Sequence, residues 1–341
     1  DTVEFKITMT IPDYQGSWLS DKLHYNIKDS LTDGLTLDVS SIKLEGTSIN
    51  DLFVANKKCT STSITTSTSG FTLDLYGEDV YQYAGNTIAI TYQAQVNDKA
   101  KVNFDSDENK ATLKYSTVAS GTDMSDPMQD ITHHYTFGFD TLVNGTGSEK
   151  TTEITKYGVK TTTELDNKVA LDGAQFQLFD ANGKQLYFTS AGEYTTETSG
   201  TYDYIVSKNN GQLTATGLDA GTYTLKESKA PLGYALDKTT YTIVITPTYN
   251  ELTGELKNYT VRVSGATGNS ITFTHEKLDN GTINTTDNAA NADTFGINNT
   301  PLITLPETGG AGMIALTVAA VVLMAGFGTM FVSLRKRKQV K

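Results

Sequence analysis

Apolar and polar residues alternate along this chain in one run after another up to about residue 300. No long stretch in that span repeats at the helical period. Successive side chains of a strand point to opposite faces, so each such run predicts a strand with one buried face, and their succession excludes a helical bundle. Val3, Phe5, Ile7, Met9 and Ile11 form the first run, and Leu23, Tyr25, Ile27 and Asp29 the second. Ile42 and Leu44, then Phe71, Leu73 and Leu75, then Ile88, Ile90 and Tyr92 continue it, and Asn109, Ala111, Leu113 and Tyr115 close the first third. A Ser/Thr-rich loop at 61–69 and a polar stretch at 116–130 containing Pro127 suit connectors.

The C-terminus is of another kind. Leu305, Pro306, Glu307, Thr308 and Gly309 precede 24 residues without a charge, 311–334, which end in Arg335, Lys336, Arg337 and Lys338. At 1.5 Å per residue such a run spans a hydrocarbon core of roughly 30 Å as a helix. The basic cluster keeps its end in the cytoplasm, so everything before Leu305 is expected outside the cell. The triplet of pentapeptide, span and basic tail resembles the LPXTG cell-wall sorting signal of Gram-positive surface proteins. That resemblance implies that a sortase cysteine attacks the Thr308 carbonyl, releases Gly309 onward, and passes Thr308 to an amine of peptidoglycan or of a neighbouring pilin subunit. Pro306 disfavours helix at Leu305, so the peptide is expected to enter the enzyme extended or turned.

Composition agrees with export. The formal charge is −12 over 341 residues; without the five basic residues of the tail, 22 basic stand against 39 acidic residues, or −17. This argues against nucleic acid and anionic membranes as partners, leaving the membrane only for the C-terminal span before processing. The single cysteine, Cys59, allows no internal disulfide. It sits in a Ser/Thr loop, which suits an unpaired surface thiol. Asp1 to Phe5 reads as part of a strand and not as the basic start of a signal peptide, so the chain is expected to be incomplete or processed at its start. His133 and His134 are adjacent and point to opposite faces of a strand. There is no HxxxH, paired Cys, phosphate loop or serine elbow, so no metal or cofactor is expected. Trp18 with Tyr14 could form a sticky patch, but one Trp makes no lectin site.

Further resemblances lie in the alternating part. TVEFKITMTIPDY, HYNIKDSLTDGLTL, TIAITYQAQVND and ENKATLKYS, in that order, resemble the D2-type fimbrial isopeptide-forming domain over roughly residues 1–115. LDGAQFQLFD (171–180), GTYTLKESKAPLGY (221–234), TYTIVITPT, NYTVRVSG, SITFTHE and FGINNT resemble the Cna protein B-type domain of surface adhesins and pilin shafts, with GTYTLKESKAPLGY as its E-box. The implied fold is all-β: two tandem immunoglobulin-like β-sandwiches, 1–145 with a connector and 146–303, then 304–341 with a transmembrane helix over 311–334. Residues 277–294, rich in Asn, Asp and Thr, are expected to be a surface excursion.

These families join a Lys amine to an Asn side chain within one domain, aided by a buried acid, and release ammonia. Burial favours a neutral amine and a protonated carboxyl, and folding replaces a chance encounter by a positioned one. Strand phase tests the idea. Lys156 shares the phase of Ile154, Glu227 that of Tyr223 and Leu225, and Asn299 that of Phe295 and Ile297. Three such groups in one core are costly unless they meet. The expected cross-link is therefore Lys156 to Asn299 with Glu227 as acid/base; Lys160 and Asn298 are the alternatives. In the first domain Asp29 and Asn109 match the family's acid and amide by phase. Lys6, Lys22, Lys28, Lys43, Lys101, Lys110 and Lys114 all fall out of phase. Either the partner lysine lies on a strand before Val3, outside this chain, or this domain has no cross-link.

Together the resemblances imply a structural subunit of a sortase-assembled, wall-anchored pilus serving adhesion. A monomeric wall-anchored adhesin, or a basal or tip pilin that binds a host matrix protein, is the second reading. A secreted enzyme is the third and weakest, because the only chemistry is self-directed. The Tyr-Pro-Lys pilin motif that usually carries the polymerising lysine is absent from the sequence.

Overall fold

Two hydrophobic cores sit along one chain of β-strands. The computed structural model describes residues 2–14, 21–48, 57–118, 120–140, 152–159, 168–190, 193–195, 202–265, 268–288 and 294–302. Nearly all regular structure among them is strand, and the one helical element is a single turn, α1 (Glu78–Tyr81).

The first lobe contains β1 (Thr2–Thr10), β2 (His24–Leu31), β3 (Leu35–Leu44), β4 (Thr47–Ser48), β5 (Ser63–Ser67), β6 (Gly70–Tyr76), β7 (Thr87–Val96), β8 (Asp107–Tyr115) and β9 (Met128–His134). They form two sheets, β1-β7-β3-β4 and β5-β6-β2-β8-β9. Phe5, Met9, Tyr25, Ile27, Leu73, Ile90 and Tyr92 fill the core between them. In β2 every second residue is buried, Tyr25, Ile27, Asp29 and Leu31, so the alternation carries an aspartate into the core with its apolar neighbours.

The second lobe contains β10 (Phe137–Phe139), β11 (Ile154–Val159), β12 (Lys168–Ala170), β13 (Gln175–Phe179), β14 (Tyr187–Ser190), β15 (Glu193–Thr195), β16 (Ile205–Val206), β17 (Ala215–Leu218), β18 (Gly221–Lys229), β19 (Thr240–Tyr249), β20 (Leu256–Ser264), β21 (Ser270–Lys277), β22 (Ile283–Asp287) and β23 (Phe295–Asn299). A sheet in the order β16-β13-β18-β19-β20-β21-β22 is covered by β12-β11-β23 and by β10-β17-β15-β14. Phe176, Leu225, Ile243, Val261, Phe273, Phe295 and Ile297 lie in the core between them. The register pairs the lobe's beginning with its end: β11 and β23 run parallel, Ile154 opposite Phe295 and Gly158 opposite Asn299. Parallel neighbours need a long crossover, and here nearly the whole lobe serves as one.

The second core also takes Phe104, Phe137 and Phe139 from upstream of residue 146. Phe104 and Phe137 both pack on Tyr259, at ring-centroid distances of 5.6 and 5.2 Å. Residues 277–294 include the strand β22, which adds to the edge of the large sheet by pairing with β21. The lobes form one compact unit, Asp1–Thr300, and Pro301–Lys341 form another. No helix among the described residues is long and apolar enough to cross a membrane. The span expected at 311–334 and the pentapeptide Leu305 to Gly309 lie outside the described residues.

One turn glycine ties the first sandwich to its buried acid. Gly70, at the β5–β6 turn, has φ +140°, and a Cβ there would lie 2.2 Å from the Asp29 carbonyl oxygen. Gly70→Ala should therefore cost about 3 kcal/mol or more, because backbone must move. Gly183→Ala, at φ +79° with nothing within 4 Å, should cost only about 1 kcal/mol. Urea unfolding midpoints of the two variants check this.

Candidate cross-linking sites

The charged or amide groups singled out by strand phase in the second lobe come together in its core. Lys156 is fully buried on β11, and its Nζ lies 3.1 Å from Glu227 Oε1, with both side chains wholly excluded from solvent. Asn299 at the end of β23 is 1 % exposed and donates from Nδ2 to Glu227 Oε2 at 3.0 Å and to the Ala235 carbonyl at 2.7 Å. Lys156 Nζ, Glu227 Oε1 and Asn299 Oδ1 are buried with no aligned hydrogen bond, although the first two sit at ion-pair distance. The amine lies 5.5 Å from the ring centre of Phe176. Burial pushes the Lys156 ammonium down from its usual pKa toward the neutral amine, while Glu227 and, further off, Asp237 pull it back up. Of the alternatives, Asn298 is exposed and Lys160 lies outside the described residues.

The backbone around Lys156 is fixed on both sides. Its N–H donates to the Gly211 carbonyl at 2.7 Å, and its own carbonyl accepts from Leu171 at 2.9 Å. Gly211 has φ +81°, and a Cβ there would meet the Lys156 carbonyl oxygen at 2.4 Å. Three residues upstream, Glu153 and Asp140 clasp each other: each carboxylate accepts the other's backbone N–H, and His275 Nε2 bonds Glu153 Oε1 at 2.5 Å. Burial, with Glu153 beside it, drives the Asp140 carboxyl well above its usual range.

In the first lobe Asp29 and Asn109, 2 % and 5 % exposed, are joined through a residue that strand phase had marked only as core. The Tyr92 hydroxyl donates to Asp29 Oδ1 at 2.7 Å and accepts from Asn109 Nδ2 at 2.6 Å. A signal for it was available, since an inward-facing tyrosine needs a polar partner in the core. Asp29 Oδ2 and Asn109 Oδ1 have no hydrogen-bond partner. Six of the seven out-of-phase lysines are exposed; the seventh, Lys110, is half-buried and neighbours Asn109 on a strand, so it faces the other way. A cleft of about 350 Å³ opens between β1 and β9 and reaches Tyr92 and Asn109, with Phe5, Ile27, Leu113 and His134 in its walls.

Comparison with known proteins found matches to both the second lobe and the C-terminus. Residues 151–260 match the SpaA prealbumin-like fold domain, and residues 297–341 match the LPXTG cell wall anchor motif. The first match holds Lys156 and Glu227; Asn299 falls within the second. Over 287 residues, 81% of this chain, the sequence is 25% identical to the trypsin-resistant surface T6 protein of Streptococcus pyogenes serotype M6, and it spans 45% of that relative. The fold is similar to the solved T6 backbone pilin of serotype M6 S. pyogenes, with a TM-score of 0.53 and 18% identity over 88% of this chain and 65% of that one. The group B streptococcus pilus 2b backbone protein aligns over 88% of this chain and 93% of that one at a TM-score of 0.49 and 22% identity. The chain is thus a surface protein of the Gram-positive cell-wall-anchored class. The relatives it resembles are a streptococcal surface protein and streptococcal pilus backbone proteins.

The Asp29 environment sets a pH dependence. Burial raises its carboxyl from 3.8 to about 6, against the downward pull of Tyr92 and Asn109. The folded form holds the proton more tightly, so the unfolded chain ionises first as pH rises. The penalty is absent below about pH 4, grows between pH 4 and 6, and is complete above 6 at roughly 3 kcal/mol. Amide hydrogen exchange in β2 and β8 should therefore slow as pH falls from 7 to 4, once corrected for intrinsic rates, and Asp29→Asn should flatten that profile.

Proposed function

We propose that this protein is a structural subunit of a sortase-assembled, wall-anchored pilus, and that its second lobe closes itself with a Lys156–Asn299 isopeptide bond. The observation that carries the second part is the wholly buried Lys156–Glu227–Asn299 cluster, which bridges β11, near the lobe's start, to its last strand β23. A buried ion pair approaches break-even only when its remaining donors and acceptors are hydrogen-bonded, and this cluster lacks that full set.

The chemistry is a transamidation. The neutral Lys156 amine attacks the Asn299 side-chain carbonyl carbon. Glu227 takes a proton from the attacking nitrogen and delivers one to Asn299 Nδ2. The C–Nδ2 bond breaks, ammonia leaves, and an Nζ–C amide remains, so no oxidant or external group is consumed. Glu227 is placed for both transfers, with one oxygen toward Nζ and the other toward Nδ2. The reaction occurs once per molecule, which suits a structural protein and not a turnover enzyme.

Asp29 and Asn109 support a second site of the same kind. Their unpartnered oxygens, and the cleft that reaches Asn109, fit an amine delivered by an extended segment seated between β1 and β9. That segment would carry a lysine other than those of the first lobe. Sortase would join Thr308 to a lysine of the next subunit or to peptidoglycan, and any host surface ligand would be met by the assembled fibre.

Intact-mass measurement of the full chain in detergent tests the chemistry. Wild type should fall short of the sequence mass by one ammonia for the second lobe, and Glu227→Ala should restore it; a wild-type chain at full mass would sink the cross-link. Denaturing gels of wall extracts test assembly. A ladder of sortase-joined species supports the pilus, whereas a single wall-linked band supports a monomeric adhesin.

A further inference from the structure

Beyond the acid, the structure assigns a second group to the leaving nitrogen. We infer that the loop Pro231–Asp237 is a clamp that fixes which end of the Asn299 carboxamide faces Glu227, with Tyr234 seated on Gly158 as its latch. This rests on the cross-linking reading above.

A carboxamide has two unlike ends, and a core that holds it the wrong way round presents the oxygen where the departing nitrogen must receive its proton. Both N–H groups of Asn299 are taken, one by Glu227 Oε2 at 3.0 Å and one by the Ala235 carbonyl at 2.7 Å. Turning the amide over would set Oδ1 against two acceptors and lose both bonds, so the pair admits one orientation. Glu227 alone could not enforce this, because a protonated carboxyl donates as readily as a carboxylate accepts. A backbone carbonyl only accepts, and that makes Ala235 the group that decides.

The loop that carries Ala235 is held at several points. Ala235 N donates to the Thr300 carbonyl at 2.9 Å, one residue past Asn299, and Asp237 N donates to Glu227 Oε2 at 2.6 Å. The loop therefore grips both the strand that bears the amide and the acid. Tyr234 lies over Gly158, where a Cβ would come within 2.5 Å of the ring, and Gly158 is the residue of β11 opposite Asn299. The absent side chain at Gly158 is what lets the ring sit down on the strand. Tyr234, Gly158 and the Ala235 carbonyl are thus positioning groups that act through Asn299.

The test uses the full chain made in a cell-free system, sampled over time by intact mass, with folding followed by far-ultraviolet circular dichroism. Tyr234→Ala and Gly158→Ala should each lose ammonia about tenfold more slowly than wild type, as expected for one lost orienting hydrogen bond. Tyr234→Phe should keep the wild-type rate, since the ring and not the hydroxyl is the latch. The decisive comparison is made on Asn299→Asp, which closes by losing water. Either oxygen of a protonated carboxyl can carry the proton, so adding Tyr234→Ala there should change the rate by less than about twofold. Equal slowing in both backgrounds would show a merely structural loop and overturn the clamp, as would Tyr234→Ala reacting at the wild-type rate. If Asn299→Asp stays open, exchange of the Asn299 side-chain amide protons in Glu227→Gln decides by nuclear magnetic resonance: Tyr234→Ala should speed it about tenfold, and no change rejects the clamp. A wild-type chain that never loses ammonia removes the cross-link, and the clamp with it; a wild-type chain that does, beside an unaffected Tyr234→Ala, removes the clamp alone.

Discussion

Burial of Lys156 is the constraint on which the second lobe turns. A fully buried ammonium is far costlier than a buried leucine unless it is paired and hydrogen-bonded, and even a good pair only approaches break-even. Glu227 at 3.1 Å supplies the charge partner, but the geometry leaves the amine without an aligned hydrogen bond. An apolar side chain of similar volume would hold β11 to Phe176 more cheaply. The arrangement makes physical sense as a reactive state: the same burial that penalises the ammonium raises the fraction of neutral amine, and the neighbouring acid can accept and return a proton. Were Lys156 and Asn299 joined as an amide, neither a charge on Nζ nor the need to solvate it would remain, and the cost of the open form would vanish.

Topology explains why that location is useful. β11 and β23 are parallel neighbours at the two ends of the lobe's chain. A parallel pair under shear is held only by its ladder and by side chains. A bond from Lys156 to Asn299 would lie next to that ladder and carry the load through the strands that already touch, bypassing the large sheet. The first lobe offers a contrast. Its β1 and β9 are both edge strands, the cleft between them is open, and the Tyr92 hydroxyl sits between Asp29 and Asn109. There the phenol occupies the acid and amide groups that, in the second lobe, face an amine and a backbone carbonyl.

How much of this could be read from residues alone depends on the strand. In β18 and β23 burial alternates as the pattern of apolar residues says it should, so Glu227 and Asn299 were legible by phase, and the exposed Asn298 was separable from its neighbour. Phase has less force in β11. Thr155, Lys156, Gly158 and Val159 are all buried there, because the strand is covered on both faces, and the choice of Lys156 rested as much on the likeness of its Glu-Ile-x-Lys strand to that of the resembled family as on alternation. Contacts made by backbone left no trace in the pattern. The Ala235 carbonyl and the Asp237 N–H belong to a loop whose residue types do not encode where a main chain will point. The Asp140–Glu153–His275 clasp, whose Glu153–His275 bond spans 122 positions, was likewise silent.

The join between the lobes shows the same limit from another side. Composition suggests a polar connector at 116–130; there Thr117 N donates to the Asp123 carbonyl, Ser125 N to that of Tyr115, and the last three residues open β9, which pairs with β8. The chain then places Phe137 and Phe139 in the second core, where Phe104, from a loop of the first lobe, joins them. Tyr259 gathers Phe104 and Phe137 on one side and stacks on His275 at 4.5 Å on the other. Since His275 holds Glu153, and Glu153 carbonyl receives the N–H of Phe295, the first lobe is coupled by contiguous packing to the start of the strand that bears Lys156. A bond that closes the second lobe would therefore also stiffen its seat on the first, because both draw on the fixed entry of β11 into the core.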